Sequence, residues 1–107
     1  MTTSADFQAL FHQGKRIDRP TLLVLWRASP ARRRAGFAVS RQIRGAVKRN
    51  RARRRVKEAF RAVRDAAPLQ VAVVVIAKRA ALEAPFAMLS AHMREALGAI
   101  PRQERPE

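Results

Sequence analysis

The sequence predicts an α+β fold: a single domain in the order α-β-β-α-β-α, with one mostly antiparallel sheet packed with helices. Three observations lead there. Two apolar runs, at residues 21–26 and 70–77, and an alternating stretch between them have strand character. Three other segments repeat their apolar residues at helical spacing. The chain has 107 residues, 48% of them hydrophobic, which suffices for one core, and it has no cysteine to staple a smaller one. One domain over 1–107 is expected, folded over about 6–100, with tails at 1–5 and 102–107.

The elements follow in chain order. Ser4 is placed to cap a short helix on which Phe7, Leu10 and Phe11 fall at i, i+3 and i+4, and Gly14 is placed to end it. After Pro20, the run Thr21-Leu22-Leu23-Val24-Leu25-Trp26 reads as a strand, and residues 28–33 as a loop. Residues 34–41 form a second strand, with Ala35, Phe37 and Val39 on one face and Gly36, Ala38 and Ser40 on the other. Antiparallel pairing with the preceding strand is the simplest arrangement. From 46 to 64 the period turns helical: Ala52, Val56, Ala59, Phe60 and Val63 fall within about 100° of arc, and Pro68 closes the segment. Residues 70–77 are apolar at odd and even positions alike, which marks a strand covered on both faces and so central or nearly central. Pro85 suits a first helical position, and Phe86, Leu89, Met93, Leu97 and Ile100 line one face of a last helix. Phe37, Phe60 and Phe86 are assigned to the core. There is no internal repeat and no linker.

The charge is extreme and local. Lys and Arg number 23 against 8 Asp and Glu, a net +15. Residues 41–64 hold 11 of the basic residues and one acid, Glu58, so this segment carries +10 of the total. A field concentrated in this way describes a binding surface for a polyanion. Nineteen of the 23 basic residues are Arg, whose planar fork suits phosphate oxygens, although a G- and C-rich genome also enriches Arg. On a helical projection Asn50, Arg53, Arg54, Lys57, Arg61 and Arg64 fall on one flank of the apolar seam, with Lys48, Arg51 and Arg55 on the other. Like charges at helical neighbour spacing repel, so the segment reads either as a solvated charge run or, the favoured reading, as a phosphate-binding ridge. Asn50 adds a group that can both donate and accept, suited to a sugar hydroxyl or base edge. Phe7 and Phe11 share a face, and two readings stand: packing on the sheet, or stacking on unpaired bases beside the positive surface. Trp26 is open to the same two, with core packing favoured.

Catalytic constellations are missing. The acids are scattered without a D-x-D or E-x-D grouping, and His12 and His92 lie on different helices and read as surface residues. The longest uncharged run, residues 66–77, is 12 residues, too short for a membrane span of about 20. The first six residues lack the basic start and apolar run of a secretory signal, so a cytoplasmic location is expected. No metal site is expected in the protein, and neither a membrane nor an obligate protein partner.

The run Ala46-Val47-Lys48-Arg49-Asn50-Arg51-Ala52-Arg53-Arg54-Arg55-Val56-Lys57-Glu58-Ala59-Phe60 closely resembles the Arg-Asn-Arg signature helix of the bacterial ribonuclease P protein subunit family. Residues 6–14, 35–41 and 73–79 resemble that family's N-terminal helix, the strand before the signature and the last strand, in family order and spacing. The resemblance implies an RNA-binding protein that assists a catalytic RNA in Mg2+-dependent, endonucleolytic removal of the 5′ leader from precursor tRNA. The Mg2+ would be bound mainly by the RNA. It further implies RNA contacts at Arg41, Lys48, Arg49, Asn50, Arg51, Arg53, Arg54, Lys57 and Arg61. Leader contacts are implied at Phe7, Phe11, Lys78 and Arg79, and a left-handed middle β-α-β crossover is implied as well. The chain departs from the family in three places: no basic residue precedes Asp6, Gln42 follows Arg41 where a second basic residue is common, and the sheet-floor aromatic of the cleft has only Leu25 or Trp26 near its position. A competing reading is a ribosomal protein of similar fold. A basic helix lying on a membrane surface is a further alternative, but sheet packing explains the apolar seam better.

Overall fold

A computed structural model describes residues 14–28, 34–67 and 71–101. The strands are β1 (Lys15–Asp18), β2 (Leu22–Ala28), β3 (Arg34–Val39) and β4 (Val71–Ala77). The helices are α1 (Ala46–Val63) and α2 (Phe86–Gly98), with 3₁₀ turns at Arg64–Ala66 and Arg79–Leu82. The expected helix carrying Phe7 and Phe11 lies outside the described residues. The sheet order is β1-β2-β4-β3. β2 is antiparallel to both β1 and β4, and β3 is parallel to β4, so the sheet is mostly antiparallel, as expected.

Two expectations are corrected. Residues 34–41 do not pair with residues 21–26; β4 lies between them, with Val24 and Phe37 both registered on Val75. A strand that is apolar on both faces is shielded best in the interior of the sheet, where both its edges also find backbone partners. The second correction is β1, which the sequence reading left out. Its four residues contain a single apolar side chain, Ile17, registered on Val24, so no alternation announces it. It forms because β2 offers a free edge, and its charged residues blunt the edge it creates.

The core lies between one sheet face and the two helices. Leu22, Val24, Trp26, Val73 and Val75 from the sheet meet Val56, Phe60, Leu89, Met93 and Leu97 from the helices. All five residues expected for the seam of α1 are buried, and Phe37 meets Phe60 edge to face at 5.5 Å between ring centroids. On α2, Leu89, Met93 and Leu97 are buried as expected, as is Ile100 just past its end, but Phe86 is 46% exposed. As the first residue of the helix it stands at the rim of the packed surface, so its assignment to the core is corrected. His92 is also not a plain surface residue: half-buried, its Nδ1 lies 2.9 Å from the hydroxyl of buried Thr21. With the Arg19 to Glu95 ion pair at 3.3 Å, it ties α2 to the corner before β2. The opposite sheet face is also apolar, with Leu25, Ala72 and Val74 buried beside Leu23, Ala38 and Ile76.

Candidate nucleic-acid interface

The seam of α1 dictates where its charges go. With Ala52, Val56, Ala59, Phe60 and Val63 committed to the sheet, Lys48, Asn50, Arg51, Arg53, Arg54, Lys57 and Arg61 are forced outward, and all are exposed. The helix is capped at its N-terminus by Gly45, whose φ of 91° is a conformation that side chains rarely adopt, and no acid stands in its first turn. The positive end of the helix dipole therefore adds to the side-chain charge instead of being offset.

Not every cation on this helix is available. Arg49 is half-buried, and its Nη1 donates to the carbonyl oxygens of Ser40 (3.1 Å) and Ile43 (2.9 Å). Arg55 is half-buried too and donates to the carbonyls of Leu82 (2.9 Å) and Ala84. Arg53 donates to the Asn50 side-chain oxygen at 2.6 Å, and Arg61 lies 3.5 Å from Glu58. Among the described residues, Lys48, Arg51, Arg54 and Lys57 have no hydrogen-bond or ion-pair partner. Arg41 is exposed in the turn between β3 and α1.

Two grooves flank the helix. One runs between α1 and the edge strand β3, lined by Phe37, Ala38, Val39, Ala46, Arg49, Asn50 and Arg53. It brings signature residues beside the partly buried ring of Phe37. The other lies between α1 and the turn after β4, lined in part by Arg44, Lys48, Arg51, Arg55, Arg79 and Glu83. Asn50 and Arg53 thus face one groove and Lys48, Arg51 and Arg55 the other, the sides on which the helical projection puts them.

The structure separates the two cations expected at the leader cleft. Lys78 is ion-paired with Asp18 beside β1, whereas Arg79 stands in the second groove beside α1. The Lys78 ammonium hydrogen bond holds the Asp18 carboxyl below its ordinary value of 3.8. Trp26 points into the helix-side core, with Lys15 Nζ 5.5 Å from its ring centroid, and Leu25 lies on the opposite sheet face. Phe7 and Phe11 lie outside the described residues. Sequence reasoning left Arg44 and Arg55 out of the site. Arg44 is signalled only by its place before Gly45, and nothing in the pattern distinguishes Arg55 from its neighbours. Among the described residues no group of three or more His, Asp or Glu side chains converges to hold a metal.

Comparisons with known proteins agree with one another. The family model Ribonuclease P matches residues 1–101. The ribonuclease P protein component of Acidothermus cellulolyticus is 37% identical over 100 residues, covering 91% of this chain and 83% of that protein. That of Symbiobacterium thermophilum is 36% identical over 91 residues, covering 83% and 79%. The solved RNase P protein from Thermotoga maritima superposes with a TM-score of 0.79 at 27% identity, covering 90% of this chain and 92% of that one.

Proposed function

The chain belongs to the ribonuclease P protein family, and from that premise we propose that α1 binds the RNA subunit while the sheet side holds the 5′ leader of precursor tRNA. The protein is a subunit of bacterial ribonuclease P, an endoribonuclease complex of tRNA processing. Its own role is binding: it neutralises backbone phosphates and positions the substrate, and the RNA carries out the hydrolysis. The observation that carries this reading is the outward row of Lys48, Arg51, Arg54 and Lys57, partnerless among the described residues on a helix anchored by its seam. A cation with no intramolecular partner has no internal bond to break when a phosphate arrives. Mg2+ is assigned to the RNA subunit, whose phosphate oxygens suit that ion. The complex is placed in the cytoplasm, with no obligate protein partner.

Phe7 and Phe11 are proposed to stack on leader bases, with Lys78 at the margin. The test is cleavage of precursor tRNA by the cognate ribonuclease P RNA at low Mg2+, with and without the protein. Stimulation is expected, and none at any protein concentration would sink the reading. Replacing Phe7 or Phe11 by Ala should weaken binding of leader-bearing precursor by about 1–3 kcal/mol and leave mature tRNA unaffected. Equal loss on both substrates would return the two rings to core packing.

A further inference from the structure

The groove on the Arg79 side of α1 takes Lys48 and Arg51 from that row and adds Arg44, Arg79 and a fixed wall that the reading above does not use. Arg55 forms its floor: its guanidinium is fixed to the carbonyls of Leu82 and Ala84, so the turn bearing Arg79 is fastened to the helix. Arg44, Lys48, Arg51 and Arg79 project into the opening, all exposed and all without a partner among the described residues, against the single acid Glu83. Four free cations facing one carboxylate across a rigid gap suit a run of phosphates, and three of the four present the fork that matches phosphate oxygens. Successive residues turn by about 100°, so Arg51 and Arg53 lie about 160° apart around a helix some 10–12 Å across. A single backbone strand cannot lie along both flanks.

We propose that Arg44, Lys48, Arg51 and Arg79 form a second phosphate-binding groove that takes a different stretch of the RNA subunit's backbone from the stretch meeting Asn50 and Arg53. The inference rests on the reading that this chain binds the ribonuclease P RNA. α1 then acts as a wedge between two RNA segments, and Arg79 serves the RNA subunit instead of the leader. Fixing the far wall through Arg55 means that little ordering is left for the moment of binding.

The test uses the full chain and the cognate ribonuclease P RNA, with Kd measured across a salt series at fixed Mg2+. The double variant Arg44→Ala, Arg79→Ala should flatten the slope of log Kd against log salt by about 1.5–2 relative to wild type. Both side chains are exposed, and an unchanged melting temperature confirms the fold. Glu83→Gln should tighten binding several-fold, whereas Glu95→Gln, on α2 and paired with Arg19, should leave it unchanged. Steep wild-type binding with an unaltered slope in the double variant overturns the second groove alone. Absent or salt-independent wild-type binding overturns the proposed function with it. Loss confined to leader-bearing precursor on the assembled complex would assign the groove to the leader and overturn the assignment to the RNA subunit.

Discussion

Arg49 and Arg51 are two residues apart, identical in type and opposite in use. Arg51 is exposed and has no partner among the described residues, while Arg49 spends its Nη1 on the carbonyls of Ser40 and Ile43, holding the 40–45 turn against the helix that follows. Removing Arg49 leaves those carbonyls short of a charged donor, and Ile43 beside them is only 2% exposed. Arg49→Ala should therefore lower stability by roughly 1–3 kcal/mol in denaturant unfolding while leaving the salt slope of RNA binding within about half a unit of wild type. A slope reduced by a full unit at unchanged stability would make Arg49 a phosphate contact instead. At the sheet corner, Asp18 neutralises Lys78. The folded carboxyl titrates below 3.8, so the pair's contribution is complete above that value and is lost as pH falls through the lower folded one. At neutral pH Lys78 is accordingly engaged. Asp18→Asn should free it and tighten binding of leader-bearing precursor, and should flatten the fall in melting temperature at acid pH; weaker leader binding in this variant would remove Lys78 from the cleft margin.

Among the elements, α1 is the most legible, because its seam and its charges follow one period. Its start at Ala46 and its five buried residues match the periodicity, and its end differs only by the 3₁₀ turn at Arg64–Ala66. β4 is legible for the same reason, its composition alone requiring cover on both faces. Pairing is not written in composition: which strand lies beside β4 depends on the edge hydrogen bonds of the whole sheet, so β1 and the β2-β4-β3 order emerge only in three dimensions. Site residues follow a similar divide, since a cation's position on the helix is periodic but its engagement with a carbonyl from a distant turn, as for Arg55 and Leu82, is not. The seam bears a real load. Like charges at i, i+4, such as Arg49 with Arg53, Arg51 with Arg55, Arg53 with Lys57 and Lys57 with Arg61, oppose the helix by roughly 1–2 kcal/mol together. The carbonyl clamps relieve part of this, and packing supplies the rest. Val56→Ala, at a fully buried position, should cost about 2 kcal/mol of stability without changing the salt slope, because the outer face is untouched. A variant of unchanged stability would mean that the seam is not what holds α1 to the sheet.

Across the whole molecule the net +15 acts in opposite directions on folding and on binding. In the free protein the concentrated charge of the 41–64 segment repels itself, and added salt shortens the range of that repulsion. In the complex the same cations are neutralised by phosphates, and added salt restores the counterions that binding released. The free protein should therefore melt at higher temperature as salt rises from about 50 to about 500 mM, where the Debye length contracts from roughly 14 to 4 Å. The RNA-bound protein starts higher: RNA at about 100 times its Kd adds about 2.7 kcal/mol, or very roughly 10–20 °C for a domain of this size. Its melting temperature should fall with salt as that affinity is lost. Two curves of opposite slope, converging at high salt, are expected in melts monitored by protein circular dichroism with the RNA contribution subtracted. A free-protein curve that falls with salt would mean that the carbonyl clamps and ion pairs already balance the helix, and that its charge is not held in reserve for RNA.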